Sequence, residues 1–152
     1  MLQANVAQLF EYQRERLQLL LVCGNLDAPI AINHQHASPA DLVGHLNLIH
    51  PDRIQVIGAP EINWATKQHA VRVSRHMDEI IASHPPAVIV ADGCPIPATV
   101  REACERSSTA LFSTPQAAAT VIDLLRIWLS RQLAETTELH AVMMDVLGMG
   151  VL

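Results

Sequence analysis

The sequence predicts an α/β domain with a mainly parallel sheet flanked by helices. Three observations carry this. Short β-branched runs alternate with segments of helical period from residue 53 to 133, the order that builds strand–helix–strand units. The run Ala87–Ala91 (A-V-I-V-A) is apolar throughout and bounded by turn residues, as a strand covered on both faces must be. Half of the 152 residues are hydrophobic and only 16% are charged, so a core can form without disulfides or metals.

Val6, Leu9, Phe10, Gln13 and Leu17 follow helical spacing and predict a first helix over 4–16. Leu17–Val22 then reads as a buried strand, closed by Gly24-Asn25 and Asp27-Ala28-Pro29, and Ile30–Asn33 as a second short strand. A loop containing Pro and His follows, with a turn of helix from Pro39 to Val43. Arg53–Ile57 is a strand ended by Gly58 and Pro60.

A single long helix is expected over 62–83. Ala70, Val73, Met77 and Ile80 form its apolar stripe, Gln68, Arg72, Arg75 and Glu79 its opposite face, and Pro85-Pro86 stops it. After Ala87–Ala91 and the Asp92-Gly93 turn, Pro97 opens a short helix to Arg106, and Thr109–Phe112 is a further strand. Thr114-Pro115 reads as N-cap and first residue of a helix to about residue 133, with Ala117, Val121, Leu124, Leu125 and Trp128 on one face.

The tail changes character. Leu139–Val146 has a strand pattern, and glycines 148 and 150 separate it from Val151-Leu152, which predicts a truncated C-terminal β-hairpin. The expected division is an α/β domain over 1–134 and, over 135–152, a linker with the first strands of a following domain. The chain is thus expected to be the front part of something longer.

Several function classes are excluded as expectations. One lysine, nine arginines and a net charge of −5 do not make the basic face that nucleic-acid binding needs. The longest apolar runs, Leu19–Cys23 and Ala87–Ala91, are far short of the ~20 residues that span a membrane. Three cysteines (Cys23, Cys94, Cys104) contain no C-x-x-C and leave one unpaired in any disulfide scheme, which predicts reduced thiols and a cytoplasmic location.

Thr136–Leu152 (T-T-E-L-H-A-V-M-M-D-V-L-G-M-G-V-L) resembles the segment of bacterial HPr kinase/phosphorylase that leads into its P-loop. His140, Asp145, Gly148 and Gly150 stand in that family's order and spacing, while Ala141 replaces its usual Gly and Leu147 its usual aromatic residue. His50–Trp64 and Leu111–Leu129 are similar to further stretches of the family, so the resemblance covers nearly the whole chain. It implies a fold like that of the N-terminal domains of muramyl-peptide ligases. It implies a parent that uses ATP and magnesium to phosphorylate a serine of HPr, a carrier of the sugar phosphotransferase system, and also removes that phosphate. It further implies a homohexameric parent with HPr as partner. The sequence contains no G-x-x-x-x-G-K-[ST], and its one lysine, Lys67, follows no glycine loop. Backbone amides wrapped around phosphates, with Lys and Ser/Thr alongside, are what phosphoryl transfer requires. The 152 residues alone are therefore expected to lack kinase activity and to hold no cofactor.

His140 is the one catalytic candidate, by resemblance alone: the matching family histidine sits in the active site beside a Lys and an Asp that lie past Leu152. An exposed strand histidine is the plain alternative. Asp145, five residues on, falls on the opposite strand face, which suits a turn or interdomain role. His34 and His36 share a face if their segment is extended, yet no second pair stands at zinc-ligand spacing, so no metal site is expected. His69 and His76 read as helix-surface residues, Lys67, Arg72 and Arg75 as a solvated basic face with Arg75 four residues before Glu79, and the cysteines as small buried hydrophobes. A different function class remains open: a stand-alone small-molecule-binding module with its crevice near Asp92-Gly93 or Thr114, at the carboxyl ends of the parallel strands.

Overall fold

The computed structural model describes residues 3–31, 39–46 and 52–132. Strands β1 (Gln3–Asn5), β2 (Leu20–Cys23), β3 (Pro29–Ala31), β4 (Val43–His45), β5 (Ile54–Ile57), β6 (Ala87–Val90) and β7 (Ala110–Ser113) are joined by helices α1 (Val6–Leu17), α2 (Ala59–Thr66), α3 (Ala70–Ile81), α4 (Ala98–Ser107) and α5 (118–132). The main sheet runs β2-β7-β6-β5-β4. Strands β4 to β7 are mutually parallel, and β2 joins β7 antiparallel. The predicted mainly parallel α/β architecture is present.

Side-chain alternation along the central strands sorts the core into two layers. Ile54 and Val56, Ala87 and Ile89, and Ala110 and Phe112 face α1 and α5, meeting Val6, Leu9, Leu17, Val121, Leu125 and Leu129. Ile57, Val88, Val90 and Leu111 face the other way onto Ile62, Met77, Ile80, Val100 and Cys104 of α2, α3 and α4. The chain steps β5 to β6 to β7 in one direction, so right-handed crossovers put α2, α3 and α4 on a common face; α5, after β7, covers the opposite one. All four residues of β6 are buried, as its unbroken apolar run requires.

Four expectations are corrected. The 62–83 segment is two helices, not one: α2 begins at Ala59, ends at Thr66, and Lys67–His69 turn the chain before α3. Ala70 accordingly lies exposed at the start of α3, while Val73, Met77 and Ile80 are buried. Leu17 belongs to α1, and the following strand is a half-exposed edge, with Leu20 65% exposed, rather than a buried element. Val43 ends no helical turn. It opens β4, directly after the 3-10 turn Pro39–Leu42. Finally, Thr114-Pro115 does not start α5, which begins at 118. The strand expected at Ile30–Asn33 is β3, which pairs outside the main sheet with β1; Asn33 lies outside the described residues.

α1 opens with a reciprocal cap. The Gln8 N–H donates to Asn5 Oδ1 at 2.8 Å and the Asn5 N–H to Gln8 Oε1 at 3.1 Å, satisfying two amides that the first turn leaves without partners. At the far edge of the sheet, the Leu46 N–H bonds Val56 O, which turns the carbonyls of Val43 and His45 outward. Both are met by arginine: Arg126 Nη2 lies 3.4 Å from Val43 O and Arg53 Nη2 3.4 Å from His45 O. Gly44 makes this possible, because a Cβ there would fall 2.5 Å from the Arg53 guanidinium carbon.

Candidate functional site

Two places at the carboxyl end of the parallel strands have the makings of a site. The first is the turn after β6. Asp92 and Gly93 both adopt positive φ (60° and 65°), a conformation that aspartate tolerates better than most residues. The turn is locked by the Asp92 N–H donating to Gln116 O (2.8 Å) and the Gly93 N–H to Thr114 O (3.1 Å). This aims the Asp92 carboxylate between two helix N-termini. The Ala59 N–H of α2 donates to Oδ2 at 2.7 Å, and the Ala118 N–H of α5 donates to Oδ1 at 2.9 Å. The residue before α2 is Gly58, which has no side chain to cap with, and a Cβ there would lie 2.8 Å from Asp92 Oδ2. One carboxylate thus supplies the negative charge that two helix dipoles favour.

Thr114 is similarly committed. Its hydroxyl donates to Leu17 O and accepts from the Gln116 N–H at 3.0 Å, tying α1 to the segment before α5. At the expected crevice, the Asp92 carboxylate and the Thr114 hydroxyl are therefore engaged with the protein's own backbone. Strand order also runs steadily from β4 to β7, without the reversal that opens a ligand crevice in doubly wound sheets.

The second place is an apolar pocket of about 400 Å³ between α2, α3 and the start of α4. Ile57, at the end of β5, lies at its inner side, with Ile62, Val73, Met77 and Val100 along its walls. The α2–α3 break sets Trp64 and His76 edge to face, ring centroids 5.4 Å apart, and the Arg72 guanidinium sits 5.8 Å from the indole centroid. Glu61 stands at the rim, its Oε1 3.4 Å from His45 Nδ1.

The family described as HPr Serine kinase N terminus matches residues 4–129. The chain belongs to this HPr kinase N-terminal family. It is 54% identical over 151 residues to the HPr kinase/phosphorylase of Azoarcus sp. (strain BH72), covering 99% of this chain and 48% of the relative. The HPr kinase/phosphorylase of Aromatoleum aromaticum is 53% identical over the same shares. That of Paraburkholderia xenovorans is 56% identical over 115 residues, 76% of this chain and 36% of the relative. The chain spans about half the length of these first two relatives, which it matches over 99% of its own residues.

Within this family member, several candidate residues lie outside the described residues: His34, His36, His140, Asp145, Gly148, Gly150, the expected hairpin and the 134/135 boundary. Among the described residues no group of three or more His, Cys, Asp or Glu is placed to hold a metal, and no helix is long and apolar enough to cross a membrane. His69 is the exposed residue before α3, whereas His76 packs half-buried against Trp64. Arg72 is drawn from the basic face to Trp64 and to Gln68, whose Oε1 accepts from Nη1 at 3.1 Å.

The three thiols are free, with Cys104 buried and Cys23 and Cys94 half-buried. Burial pushes the Cys104 thiol up to about 12, with Cys23 and Glu105 adding to the shift. Burial also raises Cys23, helped by Glu105 and opposed by Arg101, and raises Cys94, helped by Asp92 and Glu61. At pH 8 roughly one Cys104 in ten thousand is then a thiolate. Treatment of the native chain with a chromogenic disulfide at pH 8 is expected to leave Cys104 unmodified, while in urea all three react. The unfolded thiol titrates near 9.0 and the folded one near 12, so this contribution to stability is whole below pH 9 and is lost as pH rises towards 12.

Proposed function

We propose that this chain is the N-terminal, non-catalytic domain of a bifunctional HPr kinase/phosphorylase, with a structural or regulatory role. The observation that carries the reading is the match to proteins of that name over 99% of this chain and 48% of their length. The kinase chemistry belongs to sequence absent from these 152 residues, which contain no P-loop motif. On this reading the α/β domain occupies 1–134, and 135–152 leads into the kinase domain, where His140 joins the active site. The parent phosphorylates and dephosphorylates a serine of HPr with ATP and magnesium, in the cytoplasm, as a homohexamer.

Two measurements test this. The intact mass of the native gene product in its own cells is expected well above 16.6 kDa. A product of that mass would sink the parent reading. Labelled ATP, magnesium and purified HPr, incubated with the 152-residue chain, are expected to yield no phosphoserine above the protein-free control, whereas the full-length product labels HPr. Labelling by the short chain would refute a non-catalytic role.

A further inference from the structure

The pocket beside Trp64 is unused by this reading, and its chemistry is selective. Ile62, Met77 and Val100 belong to the second core layer, and Val73 beside them is buried too, so the space opens directly from the core. Trp64 is 42% exposed, and the His76 ring and Arg72 guanidinium hold its indole in place before anything binds. A wall ordered in advance spares a ligand the entropy of ordering it. The volume of about 400 Å³ lies at the small end of the ~300–1,000 Å³ range of ligand pockets and suits one or two rings.

Charge narrows the choice further. Among the lining residues Glu61 is the one carboxylate, and no lysine or arginine lines the space. A phosphate or carboxylate ligand would meet the Glu61 carboxylate with no lysine or arginine among the lining residues to offset it, the Arg72 guanidinium being committed to Trp64 and Gln68. A hydrogen-bond donor instead finds a carboxylate acceptor at the rim.

We propose that this pocket binds a small, uncharged, planar aromatic molecule that lies against Trp64 and donates a hydrogen bond to Glu61. The proposal stands apart from the kinase parentage and is tested on the 152-residue chain itself, so either can fail alone. Indole is the probe and phenyl phosphate its anionic counterpart, each titrated while the Met77 methyl and Trp64 indole N–H are followed by NMR. Indole is expected to shift both signals saturably at about millimolar concentration or below, with phenyl phosphate at least about ten-fold weaker.

Ala65 lines the pocket from α2, and Ala65→Phe fills it; this variant is expected to weaken indole at least about ten-fold. Glu61→Leu, which removes the acceptor without filling the space, is expected to weaken indole about three- to ten-fold and to narrow the preference over phenyl phosphate. If Ala65→Phe does not fold, Glu61→Leu decides. No saturable shift with indole, phenyl phosphate bound as tightly as indole, a folded Ala65→Phe with unchanged affinity, or a Glu61→Leu with unchanged affinity would each overturn the proposal.

Discussion

Phe112→Ala is expected to lower the unfolding free energy by about 3–5 kcal/mol. Phe112 is fully buried in β7, on the layer shared with α1 and α5, and its ring lies 5.3 Å from that of Phe10 at 35°. Truncation removes a ring from the place where both helices meet the sheet, and the rigid backbone of a paired strand cannot collapse into the void. Phe112→Leu, which keeps most of the volume, is expected to cost only about 1–1.5 kcal/mol. Urea titration followed by circular dichroism measures both. A loss below about 1 kcal/mol for the alanine variant would mean that the ring is not packed as described.

The second large effect is at Asp92. Asp92→Ala removes the caps of two helices at once and is expected to cost about 2–3 kcal/mol, roughly twice a single cap. Asp92→Asn keeps one acceptor oxygen and should lose about 1 kcal/mol. Asp92→Gly loses both bonds but relaxes the backbone at φ 60°, and so should fall between the two. Hydrogen exchange adds a local readout: in Asp92→Ala the Ala59 and Ala118 amides, which now bond the carboxylate, should lose protection together. Three variants indistinguishable from the parent chain would show that the carboxylate does not hold the helices.

These two residues mark what sequence alone can and cannot convey. Phe112 lies in an apolar run between helical segments, and local pattern is enough to bury it, as with the whole of β6. Asp92 was legible as a residue at a strand's carboxyl end, but its partners stand 33 and 26 residues away. Nothing in the spacing of Thr114-Pro115 reveals that α5 takes its cap from Asp92 instead of from its own preceding threonine. The α2–α3 break was hidden for a related reason. Lys67–His69 contain neither glycine nor proline, and both flanking segments keep a helical pattern, so the turn registers only once tertiary packing is present. The pocket depends on that break and was correspondingly invisible. β1 is three residues long, too short for periodicity to register, and although the strand at β3 was legible from its flanking turn residues, its pairing with β1 is a long-range fact.

The arginines at the β4 edge have a consequence for assembly. Strand addition is a step-growth process, and the product depends on how many reactive ends each unit carries. With the outward carbonyls of Val43 and His45 engaged by Arg126 and Arg53, the β4 end is partly capped, much as an end group caps a monomer in polymer synthesis. Among the described residues the β4 edge is therefore the less receptive of the main sheet's two edges. An open-ended fibre needs a live edge at both ends of every unit, so this engagement of β4 disfavours growth past a couple formed through β2.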